Sequence, residues 1–95
     1  GVQGRRDKGR TLRALRPIYL RRSELTPDRR MDLALGFARV LDAESLTREA
    51  IETLRVMASE TQSAMDKRQI YTLAAQIYES HGDFESAIEA LKGTL

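Results

Sequence analysis

Two segments of the chain match each other without a gap when the sequence is shifted along itself by 37 residues. The shift places residues 34–58, ALGFARVLDAESLTREAIETLRVMA, over residues 71–95, YTLAAQIYESHGDFESAIEALKGTL. Identical pairs include Ala38 and Ala75, Ala50 and Ala87, Ile51 and Ile88, Glu52 and Glu89, and Leu54 and Leu91. An internal repeat of this length is typical of arrays that stack one small structural unit against the next. It therefore favours a scaffold over a catalytic domain.

Helical spacing of apolar residues runs through most of the sequence. No window alternates apolar and polar residues for long enough to indicate a strand. Thr26 before Pro27, Ser63 before Asp66 and Asp83 before the final helical segment are typical of helix starts, and Gly82 is typical of a helix stop. We predict an all-α fold of about five helices. Its parts are a basic helix or pair of helices at residues 11–25, divided by Pro17, and two hairpins at residues 27–60 and 63–95.

The second copy resembles a tetratricopeptide repeat. Such repeats carry two aromatic residues around a large-small pair on helix A, then a Gly-Asp-aromatic turn, then a small and a large residue on helix B. The matching residues are, in order, Tyr71, Ala74, Ala75, Tyr78, Gly82, Asp83, Phe84, Ala87 and Leu91. The first copy keeps Ala34, Phe37, Ala38, Leu41, Ala50 and Leu54, but residues 43–47 replace the turn and the period exceeds the usual 34 residues. The resemblance covers residues 31–95 and implies hairpins stacked as a short α-solenoid.

Small and large apolar residues divide the expected core between them. Small side chains let two helix backbones approach closely, and large ones fill the space around such contacts. The small set is Ala38, Ala50, Ala75 and Ala87. The large set is Phe37, Leu41, Leu54, Tyr78, Phe84 and Leu91. We predict that both sets are buried.

The resemblance also implies a ligand groove on the helix A faces. The matching positions are Asp32, Leu35, Arg39 and Asp42 in the first copy, and Gln69, Thr72, Gln76 and Glu79 in the second. This set is polar and mildly acidic, so an extended peptide or a partner helix bearing Arg or Lys is the expected ligand. The alternative is that these are ordinary solvated helix faces.

Charge is unevenly distributed along the chain. Residues 1–30 carry ten Lys and Arg against three acids, a balance of +7, whereas residues 31–95 carry six against eleven, a balance of −5. Residues 1–10 combine glycines with basic residues and are predicted to be a flexible arm. The basic set is Arg5, Arg6, Lys8, Arg10, Arg13 and Arg16. It could neutralise nucleic-acid phosphates, bind a membrane surface or contact the acidic part of a neighbouring copy.

Residues suited to chemistry are scarce. The chain has no cysteine and a single histidine, His81, so neither a thiolate site nor a histidine metal cluster can form. The segment GRRDKGRT has the glycine spacing of a phosphate loop, but Arg10 stands where that motif needs lysine. We therefore predict no enzymatic activity, no cofactor, no metal and no small-molecule substrate.

The expected function is that of a protein-interaction or assembly scaffold. An anchoring module that uses the basic segment, as in a bacterial secretion or polysaccharide-export assembly, is the alternative. The chain begins with Gly-Val and ends within a helical pattern, so we expect a larger multi-repeat parent, or self-association through the C-terminal hairpin, where Ile88 and Leu95 need cover. The expected compartment is the cytoplasm or the cytoplasmic face of a membrane. The composition, rich in Arg and Ala and free of Asn, fits a GC-rich bacterial source.

Overall fold

A computed structural model describes residues 2–95, with side chains described from Gly9 onward. It contains helices α1 (Val2–Leu20), α2 (Pro27–Ala43), α3 (Thr47–Glu60), α4 (Ala64–Ser80) and α5 (Phe84–Leu91), with a short 3₁₀ helix at Arg22–Glu24. No strand occurs between residues 2 and 95. The predicted all-α class is confirmed.

Helix α1 differs from the sequence expectation at its start and at Pro17. It begins at Val2, whereas a flexible arm was predicted over residues 1–10. Arginine and lysine are good helix formers, so a basic segment can extend a helix that continues into an apolar stripe. The helix also continues through Pro17, although proline cannot donate a hydrogen bond to the carbonyl of Arg13. The N-terminal region therefore contains one α-helix and not two.

Side chains cap the starts of three helices. Thr26 accepts a hydrogen bond from the Arg29 amide at 3.4 Å before α2, and Pro27 holds the first helical position. Ser63 accepts from the Asp66 amide before α4, and Asp83 accepts from the Ser86 amide before α5. Each cap satisfies an amide that has no partner within its own helix. The helix starts read from the sequence are confirmed at these three places.

The ends of α2 and α4 have the same hydrogen-bond pattern despite different sequences. After α4, Gly82 takes a positive φ of 78°. The backbone amides of Gly82 and Asp83 donate to the backbone carbonyls of Glu79 and Tyr78, each at 2.9 Å. After α2, Ser45 takes a φ of 65°. The backbone amide of Ser45 donates to the carbonyl of Asp42 at 2.9 Å, and that of Leu46 donates to the carbonyl of Leu41 at 2.8 Å. Both are Schellman motifs, which close a helix with one left-handed residue. The turns thus correspond residue for residue at the shift of 37.

The chain divides into two compact units, Gly1–Ala50 and Ile51–Leu95. In the first, α1 packs against α2. Its buried residues are Tyr19, Met31, Ala34, Phe37, Ala38, Leu41 and Ala50. In the second, α4 packs against α5. Its buried apolar residues are Ile51, Leu54, Met57, Ala58, Ile70, Leu73, Ala74, Ala75, Ile77, Ala87 and Ala90.

The predicted core is confirmed for its small residues and for part of its large ones. The four alanines are buried, as are Phe37, Leu41 and Leu54. Tyr78 is half-buried. Phe84 and Leu91 were predicted to be buried and are exposed by 62% and 66%, so that prediction is wrong for both. Helical spacing places a residue on a face, but it does not say whether another element covers that face.

Candidate functional site

Helix α5 exposes three large apolar side chains on one face. Phe84, Ile88 and Leu91 follow each other at intervals of four and three residues, so they form one stripe. Ile88 is 54% exposed, and its two neighbours are exposed further. Ala87 and Ala90, the buried residues of α5, lie beside this stripe on the helix surface. A contiguous exposed apolar stripe with polar borders is typical of a protein-interaction surface.

Acidic residues border this stripe on one side. Glu85 and Glu89 are both exposed and lie four residues apart along α5. The Lys92 ammonium lies 3.8 Å from the Glu89 carboxylate, and such an exposed ion pair contributes little to stability. Beside them lies an open depression of about 350 Å³, lined in part by Tyr78, Glu85 and Leu95. We call Phe84, Ile88 and Leu91, with Glu85 and Glu89, the α5 face.

Two of the three equivalent positions in the first copy are buried, and the third, Thr47, is half-buried. Ile51 corresponds to Ile88 and Leu54 corresponds to Leu91 at the shift of 37 residues. Ile51 is 5% exposed and Leu54 is fully buried. The same residue types thus serve as core in α3 and as surface in α5. The α5 face therefore has the composition of a core-facing helix side without its cover.

The predicted helix A residues lie on exposed helix faces within their own units. In α2, Asp32 and Arg39 are exposed, whereas Leu35 and Asp42 are partly buried. Asp42 accepts a hydrogen bond from the Thr47 hydroxyl at 2.7 Å, so part of its carboxylate already serves the turn after α2. The α4 set, Gln69, Thr72, Gln76 and Glu79, is exposed throughout. These faces are polar and offer little apolar area to a partner.

The predicted basic set is used in different ways. Arg10 and Arg13 are exposed, and Arg5, Arg6 and Lys8 lie outside the described side chains. Arg16 donates to the Glu49 carboxylate, and its guanidinium lies 5.6 Å from the centre of the Phe37 ring. The hydrogen bond to Glu49 raises the pKa of Arg16, while burial acts in the opposite direction. Arg16 is therefore engaged by partners within the first unit.

Candidate metal ligands do not cluster in the part of the chain that the structure describes. No group of three or more His, Asp and Glu residues there could hold a metal ion. Across the same residues, no helix combines the length and the apolar character needed to cross a membrane. His81 is the C-cap residue of α4 and is exposed.

Comparisons with protein-family models, with curated proteins and with solved structures each gave no match. The candidate site consequently depends on geometry alone. The sequence predicted that Phe84 and Leu91 are buried, so the α5 face was not predicted. The signal that pointed to it was Ile88, which the helical pattern left without an evident partner.

Proposed function

We propose that this chain is a protein-interaction module built from tetratricopeptide-like helical hairpins, and that it binds an amphipathic, basic helix on the α5 face. The single observation that supports this proposal most is the stripe of Phe84, Ile88 and Leu91, more than half exposed beside two glutamates. A helix that lays apolar residues on such a stripe gains binding energy from the area removed from water. Arginine or lysine beside its apolar residues would complement Glu85 and Glu89.

The hairpin character of the module is supported by the two equivalent Schellman turns and by the buried alanines. Ala38 and Ala50 in the first copy, and Ala75 and Ala87 in the second, are all buried at matching positions. In stacked hairpins, each added hairpin covers the exposed side of the previous one. In that arrangement, the exposed stripe of α5 is the kind of surface that another helix covers.

The predicted helix A faces are the second candidate surface for the same function. Their mildly acidic side chains suit an extended basic peptide. The α5 face is preferred because it alone among these surfaces combines a run of exposed large apolar side chains with an acidic border. A binding experiment that changes each surface separately decides between them.

The test uses a fluorescently labelled synthetic peptide, a short amphipathic helix whose leucine stripe is flanked by arginines. We expect its fluorescence anisotropy to rise on titration with the full chain, and we expect Ile88→Glu to abolish that rise. Gln76→Glu, which adds the same charge to the exposed side of α4, is the matched control and should leave binding unchanged. A peptide in which glutamates replace the arginines should bind more weakly.

Two results would contradict the proposal. The first is an absence of binding by the unaltered chain. The second is binding that survives Ile88→Glu but is lost when Asp42→Arg and Glu79→Arg are combined, which would move the site to the helix A faces. Circular dichroism of each variant shows whether its helices remain intact.

A further inference from the structure

We infer that the α5 face of one copy of this chain binds the outer face of helix α1 in a second copy. The inference rests on the proposed function, because it names the partner of the same surface. Helix α1 has an exposed side that is apolar in its middle and basic at its edges. The residues on this side, called the α1 outer face, are Arg10, Arg13, Ala14, Pro17, Ile18 and Arg21.

The α1 outer face has the apolar content that the α5 face needs. Ile18 is 46% exposed, whereas the next residue, Tyr19, is buried. Pro17, Ile18 and Leu25 line a depression of about 220 Å³, with Arg21 and Glu24 at its edge. Such a depression can receive an apolar side chain from another helix. The two surfaces are thus alike in having an apolar centre.

Their charges are opposite. Arg10 and Arg13 are exposed along α1, and Glu85 and Glu89 are exposed along α5. Arg21 is exposed just after α1 and pairs with the Glu24 carboxylate at 2.9 Å. The same contrast extends over the whole chain, because residues 1–30 carry a balance of +7 and residues 31–95 a balance of −5. Complementary charges steer two surfaces together and disfavour wrong pairings. A second copy is therefore a partner of suitable chemistry, and it is present wherever the protein is.

The pairing of two α5 faces with each other is less favourable. In an antiparallel pair of helices related by a twofold axis, the two acidic borders would lie on the same side of the contact. Like charges in such a position repel each other. A contact between α5 and α1 joins two different surfaces, so each copy keeps one of them free. Such a contact adds copies one after another and does not stop at a dimer unless a ring closes.

The contact is small, because one helix face on each side provides less area than the roughly 1,600 Å² of a standard interface. We therefore expect weak, reversible association, which sedimentation velocity detects as a mass that rises with protein concentration. Reversing the acidic border, with Glu85→Arg and Glu89→Arg together, should lower the association constant by at least about tenfold. Reversing the basic edge, with Arg10→Glu and Arg13→Glu together, should have the same effect.

Mixing the two double variants provides the decisive measurement. Each variant alone presents two faces of like charge, but in the mixture the basic α5 face of one meets the acidic α1 outer face of the other. We expect the mixture to regain association. Glu52→Arg in α3 and Arg68→Glu in α4, single charge reversals at exposed positions outside both candidate surfaces, are the controls and should associate as the unaltered chain does.

A chain that stays monomeric up to its solubility limit would overturn the inference, as would a mixture of variants that fails to associate. An association that stops at a dimer and ignores both reversals would do so as well. If the chain is monomeric but still binds the arginine-flanked peptide on the α5 face, the choice of partner is wrong and the proposed function survives. If the peptide also fails to bind, both are wrong.

Discussion

The ring of Tyr19 lies against the ring of Phe37, with the ring centroids 4.8 Å apart and the ring planes tilted by 31°. Arg16 lies 5.6 Å from the centroid of the Phe37 ring, and Arg22 lies 4.3 Å from that of Tyr19. This cluster joins helix α1 to helix α2. Aromatic pairs of this kind contribute beyond the apolar area that they bury, and a guanidinium over a ring adds a further attraction.

We expect Tyr19 and Phe37 to be energetically coupled. Changing each to leucine, singly and together, should yield a coupling free energy of about 0.5–1.5 kcal/mol, the usual range for aromatic pairs. The measurement is urea unfolding of the four proteins in a double-mutant cycle. If the effects of the single changes add within about 0.3 kcal/mol, the limit for independent sites, the contact does not hold α1 in place.

Equivalent leucines should differ greatly in their contribution to stability. Leu54→Ala should lower the free energy of unfolding by about 2–5 kcal/mol, because Leu54 is fully buried and its removal leaves a cavity. Leu91→Ala should change it by no more than about 0.5 kcal/mol, since Leu91 is exposed. Thermal unfolding at low protein concentration, where copies do not associate, compares the two. Equal losses would show that the α5 face is covered in solution.

Replacing Gly82 or Gly36 with alanine should change the free energy of unfolding in opposite directions. Gly82→Ala should destabilise the protein by roughly 1 kcal/mol, because residue 82 has a φ of 78° that an L-residue adopts with strain. Gly36→Ala should stabilise it by about 0.5–1 kcal/mol, because Gly36 lies inside α2 and a Cβ there meets nothing within 4 Å. Chemical unfolding measures both. Effects of the same sign would contradict the backbone geometry at one of the two positions.

The ion pair between Arg16 and Glu49 should contribute little. Its side chains are 43% and 40% exposed, so water screens the attraction. Glu49→Gln should cost less than about 1 kcal/mol, and the cost should shrink in high salt. Glu85→Gln, a charge removal on the α5 face, serves as the control. A loss above about 2 kcal/mol for Glu49→Gln would show that the pair is more buried than its exposure indicates.

The turns show how far a sequence pattern can be extended. Gly82 and Asp83 predict a helix stop and a helix cap, and both are found. The corresponding Ser45 and Leu46 are not the Gly-Asp pair of the second turn, yet Ser45 takes a positive φ like Gly82 and the two amides make the same backbone hydrogen bonds. Glycine adopts the left-handed backbone conformation most readily, but other residues also adopt it. The first turn was therefore unpredictable from residue type and follows only from the correspondence between the two copies.

The sequence alone determines the helical class and the helix starts at Thr26, Ser63 and Asp83. These features depend on local capping and on the 3.6-residue periodicity, which the chain carries within a few residues. Tertiary structure alone decides that Leu54 is core while Leu91 is surface. It also decides that Arg16 pairs with Glu49 and is not part of a free basic arm. Burial and pairing depend on which elements meet in space, and no local pattern contains that information.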